Sequence, residues 1–198
     1  MKPIKIAIFA SGTGTNAEFI IRYFANYPLV EVVFVLSNKE QAPIVSKANS
    51  FGVSVIVCSN KDVEDATFLV DLCDSKEIDY IILAGFLRKI PDTLVAAYPE
   101  KIINIHPSLL PKYGGAGMYG RNVHAAVYAA REKETGISIH YVSEEFDSGR
   151  IIAQYSVAIT DTDTVESIQE KVHQLEHQHF APTIKREIQK SFHRFQSF

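Results

Sequence analysis

Cysteine is scarce in this chain. Cys58 and Cys73 are the two in 198 residues, and they do not form a CxxC pair. That spacing suggests neither a disulfide framework nor a zinc cluster, and it fits a reducing compartment. Positive charge is not in excess either. The net charge is −3, so nothing in the composition points to nucleic acid or a membrane surface as partner. No apolar run is long enough to span a bilayer, and Met1-Lys2-Pro3 leads into a strand-like stretch with no signal-peptide core before it. Repeats, low-complexity tracts and linkers are missing as well. The remainder is ordinary globular composition, 46% hydrophobic and 22% charged, with length for one well-buried domain. The expectation is a single domain over residues 1–198, in the cytoplasm.

Short apolar runs alternate with amphipathic ones along the first half. Ile4 to Ala10 reads as a buried parallel strand, Asn16 to Phe24 as a helix and Val30 to Leu36 as a second strand. Ala42 to Phe51 is helical with Gly52 at its C′ position, Val53 to Val57 is a third strand, Ala66 to Ser75 a helix and Tyr80 to Ala84 a fourth strand. This rhythm predicts an α/β fold: an open twisted, mostly parallel sheet flanked by helices, with a Rossmann-like N-terminal half. Beyond it come a strand over Ile102 to Ile105, a Pro- and Gly-rich loop from Pro107 to Gly120 and a helix over Asn122 to Arg131. Strands over Ile137 to Val142 and Ile151 to Val157 and a long helix from Val165 towards Ile188 complete the pattern.

Ser11-Gly12-Thr13-Gly14-Thr15-Asn16-Ala17 joins the first strand to the first helix. Glycines there let backbone N–H groups approach an anion at a positive helix end. The loop matches G-x-G-x-x-A, but the second strand ends in Ser37-Asn38 rather than in the acid that holds a dinucleotide ribose. No Lys follows Gly14 as in a Walker A loop. A bare phosphate site, a dinucleotide site and a plain tight turn all remain open at this point.

Asn104-Ile105-His106-Pro107 ends a strand, because proline does not continue a central one. Alternate strand residues share a face, so Asn104 and His106 project together. They do so at a carboxyl end, where open α/β sheets take their ligands. Asp147 follows on the acidic turn from Glu144 to Gly149. If it meets His106, the set offers an amide for an oxyanion, an imidazole for proton transfer and a carboxylate to steady it. With no Ser or Cys elbow beside them, these groups suit direct attack of a substrate amine on a carbonyl carbon. The plainer alternative is a capped strand, an incidental histidine among seven, and an aspartate that forms a turn.

Several segments, in order, cover nearly the whole chain: 11–16, Leu83-Ala84-Gly85-Phe86-Leu87-Arg88, Asn104 to Tyr113, Gly136 to Val142, Asp147-Ser148-Gly149 and Glu176-His177. As a set they resemble the phosphoribosylglycinamide formyltransferases. The resemblance implies a formyltransferase fold, and transfer of formyl from 10-formyltetrahydrofolate to the amine of 5'-phosphoribosylglycinamide in purine biosynthesis. By that likeness Asn104 and His106 stabilise the oxyanion and protonate the leaving folate nitrogen, and Asp147 assists. Gly14, Thr15 and Asn16 hold the substrate phosphate and Glu176 the ribose. Leu87, Arg88, Ile90 and Val95 line the pterin pocket, closed by the backbone from His140 through Val142 to Asp147. Residues 1–100 become the ribonucleotide half and 101–198 the catalytic and folate half. No metal is implied. Partners are small molecules, with no nucleic acid and no membrane, in a monomer or homodimer.

Two departures stand out. Family members commonly carry an Arg near position 65, where this chain has Glu64 and Asp65, and the loop from Gly114 to Arg121 is longer than in some relatives. Related folate users are the rivals. Methionyl-tRNA formyltransferase calls for a further C-terminal domain and a basic surface. The deformylase usually carries an extra N-terminal domain, and the sugar-amine formyltransferases generally lack this phosphate loop. A non-catalytic phosphate-binding module on the same scaffold is the alternative from another class.

Overall fold

The computed structural model describes residues 2–195. Its elements run β1 (Ile4–Phe9), α1 (Thr15–Phe24), β2 (Val30–Ser37), α2 (Pro43–Ser50), β3 (Ser54–Val57), α3 (Asn60–Glu64), α4 (Phe68–Ser75) and β4 (Tyr80–Leu83). They continue with α5 (Asp92–Ala97), β5 (Ile102–His106), α6 (Arg121–Ala129), β6 (Glu134–Tyr141), β7 (Ile151–Ala158) and α7 (Val165–Phe195). The seven strands form a mostly parallel sheet in the order β3-β2-β1-β4-β5-β6-β7, an α/β fold as the β-α rhythm predicts. No helix among the described residues is long and apolar enough to cross a membrane.

The chain separates into two compact units. The first holds residues up to Asn104 together with Tyr141–Glu145, and the second holds Ile105–His140 and the chain from Phe146 onward. The first unit thus takes in Tyr141, the last residue of β6, and the four residues that follow it.

In the first unit β1 pairs in parallel with β2 and β4, β2 with β3, and β4 with β5. Ile6, Ala7, Ile8 and Phe9 are all buried, so both faces of β1 are covered. This is why β1 reads as a continuous apolar run rather than an alternating one. Phe9 anchors this core, 6.4 Å from Phe34 and 5.5 Å from Phe86 between ring centres. Two short helices, α3 and α5, lie where sequence reading placed none. The first is started by a capping box in which Ser59 Oγ accepts from Asp62 N and Asp62 Oδ2 accepts from Ser59 N.

In the second unit β6 and β7 pair antiparallel. β6 is buried from Thr135 to Tyr141, whereas β7, last in the sheet order, alternates between partly buried and exposed positions. Helix α7 packs on α6 and β7 through a buried stripe that includes Ile168, Val172, Phe180, Ile184 and Ile188. It continues to Phe195, past the expected Ile188.

Candidate functional site

The second unit contains a buried cluster built on His106. Strand β5 ends at His106, and the ring is 4% exposed. Its Nε2 lies 2.7 Å from the Tyr113 carbonyl oxygen, which can only accept, so the proton sits on Nε2. Its Nδ1 faces Asp147 Oδ2 at 3.4 Å. The other carboxylate oxygen of Asp147 lies 3.6 Å from His140 Nε2. Gly115 N–H donates to Asp147 Oδ2 at 2.9 Å. Asp147 itself has φ of 53°, a left-handed conformation that aspartate tolerates better than most residues. Gly114 lets the loop come this close: a Cβ there would sit 2.6 Å from Leu110 Cδ2 and 3.2 Å from Asp147 Cβ.

The electrostatics follow from this arrangement. Burial pushes the His106 imidazole below its ordinary value. The Asp147 charge and the Tyr113 carbonyl offset part of that, and His140 adds to the lowering. Burial alone would raise Asp147. The His140 ring, the attraction to His106 when that ring is protonated, and the Gly115 N–H outweigh it and hold the carboxyl below the usual range. At neutral pH the pair is therefore a neutral imidazole with an open Nδ1 facing a carboxylate. A proton arriving between them is bound by both.

Asn104, the last residue of the first unit, is on β5 two positions before His106, so the two share a strand face. His140 lies at the end of β6 with its ring turned to Asp147. The family resemblance places His140 on the folate side through its backbone; the contact of its ring with Asp147 is a further feature of the structure. The Tyr113 carbonyl and the Gly115 N–H were also missed, since backbone groups leave no mark in the residue types. Glu176 is buried on α7, 7% exposed.

The glycine loop belongs to the first unit. Gly14 is the N-cap of α1 with φ of 68°, and no side chain caps that helix end. A Cβ on Gly14 would lie 2.5 Å from Ile44 Cβ, so packing alone explains this glycine. Gly12 differs: a Cβ there meets nothing within 4 Å. The fold does not require glycine at position 12, and the space beside it is open to a ligand. Thr15 and Asn16 are half-buried in the first turn of α1.

Ser11, not singled out from sequence, ties this loop to two others. Its Oγ donates to Asn38 Oδ1 at 2.6 Å and accepts from Leu87 N at 3.0 Å, and its N–H donates to Gly85 O at 3.0 Å. Of the residues expected to line a pterin pocket, Leu87 is exposed, Ile90 is in the core, and Val95 and Val142 pack partly buried against it. Arg88 pairs with Glu64, one of the two neighbouring acids Glu64 and Asp65. The other, Asp65, accepts from Thr67 N and Phe68 N at the start of α4.

Burial pushes the Cys58 thiol up to about 11 and the Cys73 thiol up to about 12, so neither supplies a thiolate nucleophile. Among the described residues no three His, Cys, Asp or Glu side chains gather in a way that could hold a metal ion.

The mostly parallel sheet, the glycine loop and the buried imidazole–carboxylate pair at a strand's carboxyl end agree with the fold and site expected of a formyl transferase. The chain belongs to that family, whose model, described as formyl transferase, matches residues 4–184. Within it the chain is similar to phosphoribosylglycinamide formyltransferases. That of Bacillus subtilis is 38% identical over 187 residues, covering 91% of this chain and 93% of that protein. The chloroplastic one of Arabidopsis thaliana is 37% identical over 186 residues, covering 91% of this chain, which spans 64% of that protein's length. The crystal structure of the Anaplasma phagocytophilum phosphoribosylglycinamide formyltransferase superposes with a TM-score of 0.86 at 32% identity, covering 96% of this chain and 89% of that one. That of Bacillus halodurans gives 0.85 at 35%, covering 94% and 96%.

Proposed function

We propose that this formyl transferase moves a formyl group from 10-formyltetrahydrofolate to the amine of 5'-phosphoribosylglycinamide, a step of purine biosynthesis. The observation that carries the chemistry is the buried pair of His106 Nδ1 and Asp147 Oδ2, 3.4 Å apart. With its Nε2–H given to Tyr113, the imidazole keeps Nδ1 as its working atom. As the amine attacks the formyl carbon it becomes acidic. Its proton passes to the His106–Asp147 pair, and the imidazolium is stabilised by the carboxylate. Nδ1–H then serves the oxyanion and delivers the proton to the leaving folate nitrogen, with the Asn104 amide as a second donor to the oxyanion. No covalent enzyme intermediate is needed, which fits the protonated cysteines.

The substrate phosphate binds at Gly12 to Asn16, where open space beside Gly12 meets the positive end of α1. Glu176 holds the ribose. The pterin lies against Leu87, Arg88, Ile90 and Val95, with the chain from His140 through Val142 to Asp147 closing over it. The chain works as a single formyltransferase domain in the cytoplasm, as a monomer or homodimer, on small molecules alone and without a metal.

Product analysis with an isotopically labelled formyl donor tests the reading. The label is expected on glycinamide ribonucleotide when that amine, initiator tRNA and water compete. Label on the tRNA, or release as formate with the amine present, overturns it in favour of the tRNA formyltransferase or the deformylase reaction.

A further inference from the structure

The Tyr113 carbonyl fixes which nitrogen of His106 carries the resting proton, and it is held in an unfavourable way. Tyr113 has φ of 57°, a conformation that a side chain with a Cβ enters at a cost. Close packing does not hold this stretch on every side. Leu109 to Tyr113 lines a cavity of about 270 Å³ together with Val127, Glu132, Glu134 and Thr135. Thr135, one of the lining residues, has a buried Oγ1 without a hydrogen-bond partner. Hydrogen bonds also hold this stretch.

Those bonds converge on Glu132. Its Oε1 accepts from Tyr113 OH at 2.9 Å and from Lys112 Nζ at 2.8 Å. Both contacts hold the Glu132 carboxyl below the ordinary range. The main chain of Glu132 is itself tied back to α6 through its N–H and the Val127 carbonyl. Ser108 Oγ adds a bond to Lys112 O at 2.7 Å. The Glu132 carboxylate is engaged by Lys112 and Tyr113.

We infer that Glu132 is a positioning residue for formyl transfer. By clamping Tyr113 and Lys112 it keeps the Tyr113 carbonyl on His106 Nε2, and so leaves Nδ1 as the nitrogen that works with Asp147. This rests on the proposed transfer reaction for its kinetic consequence, but not for its effect on the ring. The other charged or titratable groups that face His106 are Asp147 from the turn before β7, His140 from β6 and His124 from α6. Glu132 acts on none of them directly.

Three variants test the inference: Glu132→Leu removes the acceptor, Tyr113→Phe removes the same bond from the other side, and Glu132→Gln keeps an acceptor. Imidazole ¹⁵N NMR reads the His106 tautomer with no substrate present. The wild type and Glu132→Gln are expected to show a proton fixed on Nε2. Glu132→Leu and Tyr113→Phe are expected to show mixed tautomers. In steady state, Glu132→Leu should lose about tenfold in kcat with both KM values within about threefold, and Tyr113→Phe should match it. The Gln variant should keep most of the turnover. If Glu132→Leu does not fold, Tyr113→Phe carries the test alone. An unchanged His106 ring spectrum in the folded variants overturns the inference even if the enzyme transfers formyl. A wild type without formyl transfer but with the expected ring spectra would instead sink the proposed reaction and leave the clamp standing.

Discussion

Replacing Asp147 with asparagine removes one negative charge and little else. The amide keeps the size of the carboxylate and an oxygen for the Gly115 N–H, now 2.9 Å away. What is lost is the anion 3.4 Å from His106 Nδ1. At that separation a unit pair interacts by about 1 kcal/mol in a water-like medium and about 5 kcal/mol at an effective dielectric of about 20. In the proposed reaction at neutral pH the imidazolium arises only during turnover, so the loss falls on the transition state rather than on substrate binding. Converted at 1.4 kcal/mol per decade, that range is about tenfold to about three-thousandfold in kcat, and the half-buried setting favours a value near 10²-fold. Folate affinity, read by calorimetry, should stay within a few-fold. The pH profile gives a second reading. In the proposed reaction His106 acts from its neutral form, so the rate should fall as pH drops through its pKa. Removing the anion lowers that pKa further, and the acid limb should move to lower pH even as the plateau falls. A turnover number within threefold of wild type, with an unmoved acid limb, would show that Asp147 only forms the turn.

The glycine loop gives a paired test. Gly12→Ala places a methyl group in open space and should leave the melting temperature within about 2 °C while raising KM for the ribonucleotide several-fold. Gly14→Ala meets Ile44 with φ at 68° and should cost stability by at least about 1 kcal/mol in urea melts; equal stability of the two variants would contradict the packing argument. Thr15→Asp should raise KM for the ribonucleotide roughly ten- to a thousandfold by setting a like charge beside the phosphate, with folate affinity unchanged; loss of folate affinity alone would mean the two substrates are placed the wrong way round. Burial of His124, 1% exposed, lowers its pKa to about 4, with the charges of His173 and His106 adding to the effect. Because the folded value is depressed, stability is full above about pH 6.5 and declines as pH falls towards 4, where the unfolded chain binds a proton that the native ring refuses. The loss amounts to about 3 kcal/mol. A His124→Gln variant should show a shallower decline in urea titrations between pH 7 and 4.5, and a parallel decline would contradict it.

The parallel half of the sheet was legible because its strands are covered on both faces. Ile6 to Phe9 cannot be anything but apolar there, and the glycine turn after them marks where the chain leaves the sheet. His106 was legible for a related reason: Pro107 ends the strand, and alternation puts Asn104 and His106 on one face. The short helices were not. The Ser59–Asp62 capping box starts a helix of five residues, too short for any apolar period to show. The clamp around His106 escaped notice because half of it is backbone. A carbonyl at Tyr113 and an N–H at Gly115 exist in any sequence, and only the loop's path brings them to the pair. Ser11 escaped for the same reason in distance, since its partners Asn38 and Leu87 lie 27 and 76 residues away along the chain.

In the proposed reaction the amine of the ribonucleotide, and not water, takes the formyl group. The initial rate of 10-formyltetrahydrofolate consumption by the purified protein, with and without 5'-phosphoribosylglycinamide, measures this directly. Consumption is expected only with the amine present, matched one for one by formylated ribonucleotide and reduced in Asp147→Asn. Equal rates of donor loss with and without the amine, appearing as formate, would contradict it.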